Sequence, residues 1–278
     1  MKFEDLLIQN MNNLPASMVK EAAIYALNGK GKRVRPKLLY AVVAGYGHDQ
    51  QDADKLACAI EMVHTYSLIH DDLPAMDNDE LRRGRATCHI AYDEATAILA
   101  GDALLTQAFY LTANATDSYK INSYCTRALA QYAGAAGMIY GQELDIQAEN
   151  LALDLALIKK IHFNKTGCLL ACPLIMGAYV AQRYEDAQLW HEIGLLLGLA
   201  FQVQDDILDV TSDSATLGKS NSDLENNKQN ICRLMSIENA KEMMDNLYEQ
   251  ASKRMEQITD FDPTQLRQII DKLKVRTN

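Results

Sequence analysis

The sequence predicts an all-α chain: one domain, an enlarged helical bundle of about ten helices. Three observations carry that expectation. Apolar residues recur at helical spacing through most of the 278 residues. No run of strict apolar/polar alternation is long enough for a strand. No Gly-Ser linker or internal repeat divides the chain, so residues 1–278 read as a single domain.

Taken in order, the segments are these. "GKGKRVRP" (29–36) is a short basic stretch. "DADKLACAIEMVHTYSLIHDD" (52–72) places Leu56, Ile60, Val63 and Ser67 on one helical stripe. Pro74 disfavours the α region at Leu73, so this helix should end near Asp72. Residues 95–115, 123–145, 155–182 and 187–210 show the same periodicity. The polar stretch 211–230, rich in Ser, Asp and Asn, reads as a loop.

Composition narrows the function. A charged fraction of 23% and five prolines describe a globular chain, not a disordered one. The formal net charge of -10 argues against a nucleic-acid partner, which would call for a basic face. None of the six cysteines forms a C-x-x-C pair and no secretory signal opens the chain, so reduced thiols in the cytoplasm are expected. Cys168 and Cys172 lie one helical turn apart without a histidine at ligand spacing, and read as packing residues. The apolar run at 193–203 is too short to span a bilayer, so no transmembrane segment is expected.

The chemistry lies in two acidic clusters. "IHDDLPAMDNDELRRG" (69–84) carries Asp71, Asp72 and Asp77 at the end of an apolar helix. A helix C-terminus is already partly negative, so carboxylates there repel both one another and the helix. "FQVQDDILD" (201–209) repeats the situation: Asp205 and Asp209 are four apart, Asp206 and Asp209 three apart, on one face. Oxygen ligands without a nearby Cys or His pattern favour Mg²⁺, which binds one or two carboxylates together with substrate phosphates. Phosphates need further cations. Lys32, Arg35, Arg82, Arg83, Lys165, Lys219 and Lys228 are candidates, although "LGK" (217–219) lacks the spacing of a nucleotide-binding P-loop.

"DDLPAMD" followed by "RRG", then "GQELD" (141–145), "KTG" (165–167), "FQVQDDILD" and "LGK" stand in the order seen in the trans-isoprenyl diphosphate synthases, which the chain resembles from about residue 28 to 228. "GKGKRVRP" is similar to that family's N-terminal diphosphate-binding segment. The resemblance implies a helical fold around a deep central cavity, usually as a homodimer. It implies that Asp71, Asp72 and Asp77 bind two Mg²⁺ ions, with Asp145 near them, and that Asp205 binds a third supported by Asp206 and Asp209. Mn²⁺ would substitute. The allylic diphosphate would rest on Arg82, Lys165, Thr166, Gln202 and Lys219, and isopentenyl diphosphate on Lys32, Arg35, His64 and Arg83. By itself His64 reads equally well as a core histidine.

The reaction so implied ionises an allylic C–O bond, and the isopentenyl double bond then attacks the cation. Metal ions and cationic side chains stabilise the departing diphosphate, and an apolar wall keeps water from the cation. The chain departs from the family pattern at Ala86, where proline is frequent, and at Asn221 and 229–231, which puts the role of Lys228 in question. Arg276, near the C-terminus, lies within possible reach of the isopentenyl site. A class I terpene cyclase and a non-catalytic partner subunit are the alternatives.

Product length should follow from Tyr66, five residues before Asp71 and about 7.5 Å back along the helix. Read alone it is a core aromatic. Beside the small Ser67 it resembles the pattern of members that stop at fifteen carbons, with twenty as the runner-up.

Overall fold

The computed structural model describes residues 1–148, 154–211 and 230–276. Several of its helices begin at a polar cap. α1 (Phe3–Gln9), α2 (Met18–Leu27), α3 (Val34–Gly45) and α4 (Asp54–Asp71) lead to a small hairpin, β1 (Leu81–Arg82) and β2 (Arg85–Ala86). After it come α5 (Cys88–Ala91), α6 (Glu94–Ala113), α7 (Tyr119–Ala133), α8 (Met138–Ala148), α9 (Leu155–His162) and α10 (Cys168–Val180). The chain closes with α11 (Ala187–Thr211), α12 (Ile237–Met255) and α13 (Thr264–Lys274). Ser17, Asp93, Ser118, Asp154 and Ser236 each accept a hydrogen bond from the backbone N–H three residues on, satisfying a donor that an open helix start leaves bare.

α4 packs along α6, and α10 lies between α3, α7 and α11. α10 is apolar all round because it is wrapped all round: from Cys168 to Ala178 every residue is buried. With α9 it forms a stretch, Leu155–Val180, that is long and apolar enough to cross a membrane by length and composition. Most of that stretch is buried in the core, which accounts for its apolarity, so length and composition alone do not set it against the expectation of no transmembrane segment. All six cysteines are free thiols, and Cys168 and Cys172 are core residues as expected.

Two further details differ from the sequence reading. The helix expected over 155–182 is interrupted at Phe163–Gly167 by a π-helical turn. The hairpin is two residues per strand, with Arg82 opposite Arg85, too short for any alternation to show. Its connecting residues, Arg83 and Gly84, both take positive φ (55° and 74°), as a two-residue turn matched to strand twist requires.

Candidate active site

α4 ends at Asp71, and residues 73–79 fold back over its end. The Asp77 N–H donates to the Asp71 carbonyl at 2.9 Å, and the Asp79 N–H to the Asp72 carbonyl at 3.2 Å. The loop thereby satisfies bare helix carbonyls and delivers Asp77 to the side of Asp71. Burial lifts the Asp71 carboxyl to about 6, opposed by Lys165 and reinforced by the negative charge of Asp77. Asp72 is buried and accepts from Arg82 Nε at 2.6 Å; burial raises its carboxyl and Arg82 opposes the rise. Crowding of like charge is thus offset from the hairpin side.

The second cluster occupies the last two turns of α11. Asp205 pairs with Arg276 at 2.7 Å. Arg276 also stacks on Phe201, 3.6 Å from the ring centre, and donates to the Phe201 carbonyl. Asp206 accepts from the Ile231 N–H at 2.8 Å. Burial lifts the Asp206 carboxyl to about 7, with Asp209, Asp205 and Asp145 adding to the rise.

Between the clusters stands Asp145 of α8, ion-paired with Lys165 at 2.5 Å. Lys165 is felt by Asp71, and Asp145 by Asp206, so this pair joins the two acidic groups into one site. Lys165 and Thr166 lie in the π turn, a feature frequent at functional sites. Thr166 Oγ1 donates to Gln202 Oε1 at 2.8 Å. Two glycines let the neighbouring helices reach this turn. A Cβ on Gly141 would stand 2.0 Å from the Lys165 backbone nitrogen, and one on Gly198 would stand 2.3 Å from Gly167 Cα.

A cationic group adjoins the acids. His64 is surrounded by Arg35, Arg83, Arg82 and Arg33; burial, with these charges, pushes its imidazole well below the ordinary range and keeps it neutral. Burial likewise lowers Arg35, to about 10, and lowers Lys32, which also feels Arg276 and Arg83. The Arg35 Nε is buried without a hydrogen-bond partner among the described residues. Repulsion among these cations and an unsatisfied buried donor both favour a polyanionic guest.

Of the residues expected from sequence, Asp71, Asp72, Asp77, Arg82, Asp145, Lys165, Thr166, Gln202, Asp205, Asp206 and Asp209 belong to the joined acidic site, while Lys32, Arg35, His64 and Arg83 form the cationic side. Lys219 and Lys228, and the altered 221–229 segment, lie outside the described residues. Sequence reasoning gave neither Arg33 nor Glu61 a role in the site. Arg33 has positive φ (49°), and its guanidinium is 9% exposed. It donates to Glu61 at 2.6 Å and to the carbonyls of Leu27 and Gly29, so it anchors the segment that presents Lys32 and Arg35. The signal was present as a buried acid, Glu61, three residues before His64, but its partner lies 28 residues away.

Among the described residues no group of three His, Cys, Asp or Glu side chains forms a ready-made metal cage. The carboxylates nonetheless suit Mg²⁺, which takes few protein ligands and is completed by substrate phosphate. All the expected ligands are hard oxygen donors, and the cations pairing with them have phosphate oxygens as alternative partners.

The chain is similar to known proteins over most of its length. The polyprenyl synthetase family model matches residues 16–262. The chain is 47% identical to a farnesyl diphosphate synthase of Haemophilus influenzae, covering 88% of this chain and 84% of that protein. It is 42% identical to a farnesyl diphosphate synthase of Micrococcus luteus, over 93% and 90% of the two chains. Its fold superposes with a TM-score of 0.86 on a geranyltransferase of Helicobacter pylori solved with magnesium and isoprenyl diphosphate, at 36% identity over 98% of this chain and 92% of that one. The chain belongs to the polyprenyl synthetase family.

Proposed function

We propose that the protein is a trans-prenyltransferase that condenses isopentenyl diphosphate with dimethylallyl or geranyl diphosphate and releases farnesyl diphosphate. The observation that carries this reading is the Lys165–Asp145 pair, which joins two acidic clusters beside a cationic group. Asp71, Asp72, Asp77, Asp145, Asp205 and Asp209 would hold Mg²⁺, three ions per site, with Asp206 bracing the second cluster and Mn²⁺ as a substitute. Bound magnesium would neutralise charge that develops on the departing diphosphate.

The protein's own residues do the rest. Arg82, Lys165, Thr166, Gln202 and Lys219 orient the allylic diphosphate. Three of the cations are parked in the described structure on carboxylates of the site: Arg82 on Asp72, Lys165 on Asp145 and Arg276 on Asp205. Substrate binding exchanges these partners, so the cations become available where leaving-group charge appears. Lys32, Arg35, Arg83 and the neutral His64 hold the isopentenyl diphosphate, whose double bond attacks the allylic cation. The departing diphosphate takes the proton that leaves the new carbon chain.

Tyr66 sets the chain length. Its ring is 6% exposed and meets His70 edge-on at 5.7 Å. His70 in turn presses on α6, where a Cβ on Gly101 would lie 2.1 Å from its Nε2. A tyrosine wedged in this way would occupy the volume that a fourth isoprene unit needs, and the farnesyl diphosphate synthase relatives support a fifteen-carbon product. Exposed Ile98 and Leu99 on α6 offer an apolar seat for a second copy in a homodimer. Six free thiols suit a reducing cytoplasm.

The test is incubation with Mg²⁺, geranyl diphosphate and labelled isopentenyl diphosphate, followed by chromatography of dephosphorylated products. Farnesol is expected from the wild type, and longer alcohols from Tyr66→Ala. A hydrocarbon would indicate a cyclase, and no product a partner subunit.

A further inference from the structure

His162 ends α9, immediately before the π turn that carries Lys165 and Thr166. Its Nδ1 is buried and has no hydrogen-bond partner among the described residues. A buried polar atom left bare costs stability, and an apolar side chain of similar volume would avoid that cost. A bare nitrogen next to a reactive centre therefore calls for a partner that arrives later.

The surrounding helices show which partner is in reach. His162 stands three and four residues before Lys165 and Thr166, one turn back on the same side. On α8, Gly141 and Asp145 are four apart and share a face as well. A Cβ on Gly141 would stand 2.5 Å from the Asn164 carbonyl carbon, so that face of α8 is pressed against the chain just after His162. Asp145 is thus turned towards the end of α9, where Lys165 meets it at 2.5 Å. Both charges reach His162. Burial holds its imidazole down to about 4, Asp145 opposes the fall and Lys165 adds to it. At neutral pH the ring is uncharged and has one N–H to give.

In the described structure the Asp145 carboxylate is served by Lys165. Under the function proposed above, Lys165 leaves Asp145 for the allylic diphosphate. The half-buried carboxylate then loses its cation just when it must point at a metal ion. A hydrogen bond from a neutral imidazole offsets that loss, and unlike a second ammonium it does not compete for the diphosphate.

We propose that His162 is a positioning residue, whose Nδ1–H takes over the Asp145 carboxylate when Lys165 turns to the diphosphate. This role rests on those proposed for Asp145 and Lys165. It accounts for the bare Nδ1, because the ammonium still occupies the carboxylate. No proton is transferred and no covalent bond forms; the imidazole only fixes the direction of a metal ligand.

Three variants of the full chain provide the test. His162→Leu keeps the volume and removes the N–H. His162→Asn puts an amide N–H near the Nδ1 position, and His162→Gln puts one near Nε2. His162→Leu should lower kcat about ten- to a hundredfold and leave KM for both substrates within about twofold. Asn should recover most of the loss and Gln little of it. A second readout needs no turnover: Mn²⁺ binding with inorganic diphosphate present, followed by electron paramagnetic resonance. It should weaken about tenfold or more in His162→Leu and recover in His162→Asn. The urea midpoint of metal-free His162→Leu should match or exceed that of the wild type, because the orphaned nitrogen is gone. A midpoint that falls together with kcat marks a merely structural histidine and overturns the proposal. So does wild-type kcat and Mn²⁺ affinity in His162→Leu, or equal rescue by Asn and Gln. Should His162→Leu fail to fold by circular dichroism, the Asn and Gln pair decides by the same two readouts. Absence of any prenyl product from the wild type would sink the proposed function instead, and the Mn²⁺ titration would still judge His162.

Discussion

Asp71 and Asp72 finish a helix, whereas Asp205, Asp206 and Asp209 ride on the final turns of one. The first cluster is assembled from adjacent chain: α4, the loop that caps it and the hairpin bearing Arg82 all fall within residues 54–86. The second is aligned by helical register and restrained from far along the chain, by the Ile231 N–H on Asp206 and by Arg276 on Asp205. One arrangement tolerates distant change and depends on its own loop. The other depends on segments that the sequence joins through residues 212–229. Two routes to the same charge density therefore carry different vulnerabilities.

The largest effect should be common to both. Asp71→Ala and Asp205→Ala should each lower kcat by about a thousandfold or more, because each removes a metal ligand at the leaving group. Helix content by circular dichroism should be unchanged. If either variant kept more than about a tenth of wild-type turnover, the equivalence of the clusters as metal-binding groups would fail.

Asp206 should break the symmetry. Its carboxyl titrates at about 7 in the folded protein, because of burial first, against about 3.9 in an unfolded chain. Between those values the folded state holds a proton that the unfolded state has released. Metal-free stability must therefore fall as pH rises from about 4 through about 7, and level off above. Asp206→Asn keeps an acceptor for the Ile231 N–H and removes the charge. Relative to wild type it should gain up to about 3 kcal/mol between pH 5 and pH 8.5. Urea midpoints measured in EDTA at the two pH values check this. The lowered imidazole of His64 gives the opposite slope, but equally in both proteins, so it cancels from the difference.

The next effect concerns the cations. Lys32→Ala should raise the KM for isopentenyl diphosphate by about a hundredfold with little change for geranyl diphosphate, whereas Lys165→Ala should depress kcat. Initial rates with each substrate varied in turn separate the two. Equal shifts for both substrates in Lys32→Ala would merge the sites.

Both clusters were legible in the sequence because charge at the end of an apolar helix is a local conflict, visible within a dozen residues. The stop of α4 was legible too, since Pro74 constrains its neighbour directly. What holds the site together was not. Arg33 and Glu61 meet through folding, and no periodicity links them. The π turn at Phe163–Gly167 alters the helix by a single extra residue, within the scatter of an apolar pattern. Gly141 and Gly198 did carry a signal, as glycines inside helices that cost stability without a packing reason. The hairpin escaped because two residues per strand cannot alternate visibly.

Those glycines also rank the last two perturbations. A Cβ on Gly198 would stand 2.3 Å from Gly167 Cα, backbone against backbone, so α11 must shift away from the π turn. That shift would disturb the Thr166–Gln202 hydrogen bond, which stands at 2.8 Å. Gly198→Ala should therefore cost about 1–3 kcal/mol, the range of overpacked cores, and lower kcat as well. Gly84 is the contrasting case. It has φ +74° and nothing within 4 Å of an added Cβ, so only backbone strain opposes a side chain. Gly84→Ala should cost about 1 kcal/mol, lower the melting temperature by about 2–4 °C, and leave kcat within about twofold of wild type. If the two substitutions proved equally damaging to kcat, the hairpin would be as tightly coupled to the chemistry as the α11 contact, and the first cluster could not be regarded as the self-contained one.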